Sequence, residues 1–156
     1  MMRRHEACTL TCHVPPPRGD LHCAAVERLR TLQGADAADS LRAAETSFAK
    51  SMADRNFDAF AAHVADDAVF INSGNPLRGK AAILAFWKRF YERPEAPFSW
   101  RPEVAEVAGN LGYTTGPVMS PDGKVFAHFA STWRRTASGR WEVVFDNGNP
   151  VCDCKK

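Results

Sequence analysis

Few residues of this chain combine the type and spacing that chemistry needs, and most of them fall within KVFAHFASTWRRTASGRWEVVFDNGNP, Lys124–Pro150. Val125–Arg135 and Trp141–Phe145 are rich in aromatic and β-branched residues and read as two strands. Thr136-Ala-Ser-Gly139 between them has turn chemistry, with Gly139 able to take a positive φ. With Thr136–Gly139 as the loop, antiparallel pairing sets Phe129, Ser131 and Trp133 on one face with Glu142, Val144 and Asp146. His128, Ala130 and Thr132 share the other face with Trp141, Val143 and Phe145. One face therefore carries a carboxyl, a hydroxyl and an indole among apolar groups. A carboxyl aimed at an apolar hollow either keeps a raised pKa or must find a partner. Asp146 is thus the candidate catalytic acid–base, with Ser131 and Asn72 orienting a small ligand and Trp133 stacking on it. The plainer alternative is that Asp146 accepts backbone N–H bonds from the Gly148-Asn149 turn and Trp133 is core.

Other titratable residues have simpler explanations. His128 falls on the opposite face, near Phe126 and Phe145, as a dimer-surface or solvent residue. His63 sits late in a helix, where the helix C-terminus favours its charged form. Arg134, Arg135 and Arg140 make a solvated rim. Arg78 in PLRGK is either a surface loop residue or a cavity-mouth group for an anion.

The elements that must hold these residues are legible in outline. Asp39 or Ser40 can cap a helix carrying Leu41, Ala44, Phe48 and Met52 on one stripe. Asp54-Arg55-Asn56 breaks it, and Asn56 can cap a second helix with Phe57, Phe60, Ala61 and Val64. Asp66-Asp67 ends that helix, and Ala68–Asn72 is a short strand, followed by loop at Ser73–Pro76 and Arg78-Gly79. A third helix over Lys80–Glu92 presents Ile83, Phe86, Trp87 and Phe90, and Pro94 and Pro97 forbid its continuation. Phe98–Ala108 is a strand with a bulge or edge position at Pro102. Gly109-Asn110 turns the chain into Leu111–Met119, and Pro121-Asp-Gly123 turns it again. Helices first, then a meander of strands, is an α+β arrangement with helices covering one face of a mainly antiparallel sheet.

Composition bounds the function. The chain has 156 residues, 45% hydrophobic and 24% charged, enough for one domain with a core. Net charge is +2, carried by residues 1–35, where five Arg face Glu6, Asp20 and Glu27. The body has no basic field for nucleic acid, so no nucleic-acid partner is expected. No apolar run is long enough for a membrane span, and MMRRHEACTL lacks the apolar stretch of a secretory signal; a cytoplasmic location is the expectation. Pro15-Pro16-Pro17 favours extended chain, and Ala24–Gln33 reads as a short helix stopped at Gly34, so residues 1–35 read as a flexible extension. Cys8, Cys12, Cys23, Cys152 and Cys154 lie at the two ends. Cys8, Cys12, His13, His22 and Cys23 have the ligand types for zinc without its firm spacing, so neither a metal nor a cofactor is expected.

Three stretches together resemble the nuclear transport factor two-like superfamily: FAKSMADRNFDAFAAHVADDAVF, PLRGKAAILAFW and STWRRTASGRWEVVFDNGNP. More closely they look like its SnoaL-like branch and domain-of-unknown-function family 4440. The resemblance runs from about Leu41 to Pro150 and implies a cone, in which a curved antiparallel sheet wraps around the N-terminal helices and leaves a cavity. It implies a 36–150 cone domain with a Cys-containing tail at 151–156, and homodimers packed through the outer sheet face. Asn72, Phe48 and Trp87 would complete a ligand-binding wall beside Ser131, Trp133 and Asp146.

The superfamily includes enzymes and binding modules. Matched to its ketosteroid isomerases, the chain has Asn72 for the base, Phe48 for the oxyanion tyrosine and Ser131 for the second aspartate. An amide is no base near neutrality and a phenyl ring donates no hydrogen bond, so that isomerisation is not expected. The expectation is a dimeric cone binding a small, partly apolar ligand, with lyase- or isomerase-type chemistry by Asp146 as the alternative.

Overall fold

The chain is described by a computed structural model over residues 20–151, with side chains from residue 34 onward. Cys8, Cys12, Cys152, Cys154 and the proline triplet lie outside the described residues, as does the side chain of Cys23.

Helix α1 runs Asp20–Ala53 as one element, straight through Gly34, where a stop was expected. Glycine inside a helix costs only about 1 kcal/mol relative to alanine, too little to end a helix flanked by good formers. Beyond it, Leu41, Phe48 and Met52 are fully or almost fully buried, the stripe that the helical spacing requires. Asp54-Arg55 ends α1 with Arg55 at φ +60°. Asn56 then caps α2 (Phe57–His63), its side chain accepting from Ala59 N at 2.9 Å.

Strand β1 spans Val64–Asn72, starting four residues before the expected Ala68. Val64, which fits the helical stripe by spacing, instead has extended backbone at the end of α2. Ser73-Gly74 turns β1 into β2 (Asn75–Arg78), so the expected loop is a hairpin. Helix α3 (Lys80–Trp87) tightens into a 3-10 turn over Lys88–Tyr91. The Phe98–Ala108 stretch splits into β3 (Ser99–Trp100) and β4 (Val104–Ala108) around Pro102. Both pair with β5 (Leu111–Met119), whose Gly116 makes room for the detour: a Cβ there would lie 2.0 Å from the Arg101 carbonyl oxygen. Strands β6 (Val125–Arg135) and β7 (Trp141–Pro150) complete a curved, unclosed seven-stranded sheet of order β2-β1-β7-β6-β5-β3, with β4 also on β5. Its one parallel pair is β1 with β7; the rest are antiparallel. The helices pack on the concave face, an α+β cone.

The hairpin register corrects the expected faces. Arg135 pairs with Trp141, not Arg140, so the connection is one residue longer than Thr136–Gly139. A bulge at Val144 then shifts the register again between Trp133↔Val143 and Thr132↔Phe145. Each offset flips the alternation. Trp141 and Val143 are therefore buried on the inner face in place of Glu142, while Val144, expected there, is buried beside them at the bulge. At Asp146 the two flips cancel, and it stands opposite Ser131.

Candidate functional site

A row of residues crosses the concave face in register: Phe70 of β1, Asp146 of β7, Ser131 of β6 and Thr114 of β5. Asp146 lies between two paired strands, which fixes its backbone on both sides. The Ser131 hydroxyl donates to Asp146 Oδ2 at 2.8 Å. At the other end of the row, Glu45 descends from α1. It occupies the same stripe as Leu41 and Phe48 and is 0% exposed.

Glu45 is held by three donors. Trp100 Nε1 donates to Oε1 at 2.7 Å; Thr114 Oγ1 and Trp133 Nε1 donate to Oε2 at 2.6 and 3.0 Å. The Trp133 N–H is shared with Thr114 Oγ1 at 3.0 Å. Burial raises the pKa of Glu45, and these donors pull it partly back. Sequence reasoning missed this residue. Its signal was a lone carboxyl four residues after Leu41 and three before Phe48, on a face otherwise apolar.

Asp146 is pushed up to about 7, first by burial and then by the like charge of Glu45, against the Ser131 hydrogen bond. Its carboxyl faces a cavity of about 430 Å³ between the sheet, α1 and α3. Phe48, Phe70, Trp87, Trp100 and Phe129 form much of the wall, with Asn72 and Ser73 at the end of β1. The rings pack on one another: Phe60 stacks on both Phe48 and Trp87 at 4.9 Å, and Phe90 meets Phe98 edge-on at 5.5 Å. Among the described residues Asp146 is the one ionisable side chain in this wall.

Of the residues singled out from sequence, Asp146, Asn72, Phe48 and Trp87 line the cavity together. Ser131 is buried behind Asp146, and Trp133 is fully buried, its indole N–H turned to Glu45 and away from any ligand. Asp146 takes no hydrogen bond from the Gly148-Asn149 backbone among the described residues. Arg78 is exposed at the end of β2 and does not line the cavity. His128 is exposed on the outer face, and Arg134 makes a two-pronged ion pair with Asp67 at 2.7 and 3.0 Å. His63 differs from expectation. It is packed against Phe48 and Trp133, and burial lowers its pKa, outweighing the helix C-terminus. No described group of three His, Cys, Asp or Glu side chains converges as a metal site, and no helix among the described residues is long and apolar enough to cross a membrane.

Comparison with known proteins agrees with this architecture. No curated protein is recognisably similar in sequence. An NTF2-like protein of unknown function from Pseudomonas putida superposes with a TM-score of 0.65 at 19% identity, covering 78% of this chain and 91% of that one. A protein provisionally described as a dehydratase of the NTF2-like family, from Streptomyces avermitilis, gives 0.63 at 17%, covering 76% and 98%. One provisionally described as a ketosteroid isomerase, from Parabacteroides distasonis, gives 0.55 at 20%, covering 68% and 83%. At these identities the likeness is one of fold. The model of the SnoaL-like domain matches residues 45–144, from the buried Glu45 to the bulge at Val144, and the chain belongs to that family.

Proposed function

We propose that this protein binds a small, partly apolar molecule in the cavity between its helices and the concave face of its sheet, with Asp146 at the polar end. The observation that carries this reading is the cavity wall: about 430 Å³ bounded by aromatic rings, with one carboxyl and one amide, Asn72, among them. Such a hollow, apolar with few convergent polar groups, is the ordinary form of a small-molecule site. Phe48, Trp87 and Asn72 supply the wall, Ser131 orients Asp146, and Trp133 keeps Glu45 in place. Residues 36–150 make up the binding domain in this reading.

Two copies pair through the outer face of the sheet. Tyr113 and Phe145 flank Thr132 in one cross-strand row there, 45% and 54% exposed, with Leu111 beside them at 48%. Contiguous exposed apolar groups of this kind favour burial against a partner.

A second reading is acid–base catalysis of the lyase or isomerase class. A carboxyl titrating near 7 has both proton states populated at neutral pH, which general acid–base work requires. Ketosteroid-type isomerisation is not part of it, because Asn72, Phe48 and Ser131 occupy the positions that reaction needs for other side chains.

The test is native mass spectrometry and thermal unfolding of the purified protein against a small-molecule set. A bound or stabilising molecule whose effect is lost in Trp87→Ala supports the reading. Stabilisation that survives closure of the cavity by Gly148→Trp would contradict it.

A further inference from the structure

The electrostatics of the cavity are one-sided. Among the described residues, no lysine, arginine or histidine lines it. The charge that reaches Asp146 is a second carboxyl, Glu45 of α1. The other elements around it bring groups that do not titrate: Phe70 and Asn72 from β1, Ser131 from β6, and Trp87 from α3. Asp146 itself is half used. Ser131 has a single hydroxyl proton and donates it to Oδ2; Oδ1 takes no hydrogen bond from any described residue. A carboxyl oxygen in an aromatic hollow is thus free toward the ligand space.

Resting on the reading of the cavity as a ligand site, we propose that its ligand is a protonated amine on a flat apolar skeleton, the ammonium group set against Oδ1 of Asp146. Three features select that class. Anions meet the carboxyl of Asp146, with the buried carboxyl of Glu45 behind Trp100, and no cation lines the cavity among the described residues. The skeleton meets ring surfaces, and aromatic faces attract an ammonium group through their quadrupole. One of these rings already accepts a cation: the exposed Arg89 guanidinium stands 3.6 Å from the centre of Phe86. Finally, an ammonium donates hydrogen bonds and accepts none, which matches an oxygen lacking a donor.

The proton balance gives the test its sign. In the empty protein Asp146 is largely neutral below about pH 7. Binding an ammonium group ionises it, and the carboxyl proton leaves for the buffer. Amine affinity therefore rises with pH, by up to about tenfold per unit below that midpoint, and levels off above it. A neutral ligand accepting a hydrogen bond from protonated Asp146 would show the opposite slope.

The experiment is isothermal titration calorimetry of the full chain with three matched probes: 1-naphthylmethylamine, 1-naphthalenemethanol and 1-naphthoate. Measurements run from pH 5.5 to 8.5, in two buffers of different ionisation enthalpy. The expected result at pH 8 is an amine at least about tenfold tighter than the alcohol, no binding of the carboxylate, and proton release with the amine at pH 6. D146N should bring the amine to within about threefold of the alcohol; if that variant does not fold, the pH series on the unaltered protein decides. Alcohol or carboxylate binding as tightly as the amine, or affinity falling as pH rises, overturns the amine assignment and leaves the pocket reading standing. Failure of all three probes overturns both.

Discussion

Ser131 and Asp146 face each other across β6 and β7, and the serine hydroxyl donates to the carboxyl at 2.8 Å. Beyond Ser131 the same row leads through Thr114 to Glu45, so a buried acid and a half-buried one share one concave face with one serine between them. The consequences below follow from that pairing and from the elements that hold it.

Asp146→Asn removes a carboxyl whose native pKa is about 7 against an unfolded value of 3.8. A raised acid contributes its full share of stability below the unfolded pKa and loses it as pH rises through the folded one. The native protein should therefore lose stability between about pH 4 and pH 7 on account of this group. The variant should flatten that part of the profile and be more stable at pH 8 by up to about 4 kcal/mol. Urea unfolding of both proteins across pH 4–8 checks this; parallel profiles would remove Asp146 from the account.

Glu45→Gln turns one acceptor into a donor facing the N–H and O–H groups of Trp100, Thr114 and Trp133. The mismatch should cost about 2–4 kcal/mol. Removing the like charge should also lower the Asp146 pKa, so an NMR titration of the variant should show the Asp146 midpoint moved down. Ser131→Ala, which deletes the donor, should move it up.

Gly116→Ala sets a Cβ 2.0 Å from the Arg101 backbone oxygen. Backbone must move, and the Trp100 donor to Glu45 lies beside the displaced segment. A loss of at least about 4 kcal/mol is expected, read by chemical unfolding, because overpacking against main chain cannot be relieved by rotamers.

Phe145→Asp puts a charge on the outer apolar row beside Thr132 and Tyr113. It should turn a dimer into a monomer by light scattering while leaving the circular dichroism spectrum unchanged. A wild-type monomer would contradict the dimer proposal directly.

Much of this fold is legible in the sequence because its signals are local. Asn56 caps a helix, Pro102 divides a strand, and Gly109-Asn110 and Pro121–Gly123 turn the chain where turn chemistry stands. The inner face of β7 was harder to read. Strict alternation counted from Gly139 misassigns Trp141 and Val143, because neither the longer turn nor the bulge at Val144 has a residue signature. Asp146 comes out on the inner face only because the two offsets cancel. Glu45 was hidden for another reason. A carboxyl on an apolar helix face is explicable only through Trp100, Thr114 and Trp133, which are distant in sequence and meet it only in the folded sheet. His63 shows the limit of element-level electrostatics: its place at a helix end was readable, its burial between two aromatic rings was not.

The most direct measurement is the titration of the Asp146 side-chain carboxyl carbon by NMR in the ligand-free protein, assigned by comparison with D146N. A midpoint near 7 is the expected result, since a carboxyl in an aromatic hollow beside a second acid holds its proton that long. A midpoint near 4, the value of a carboxyl in water, would contradict the account of this cavity and of the residue at its polar end.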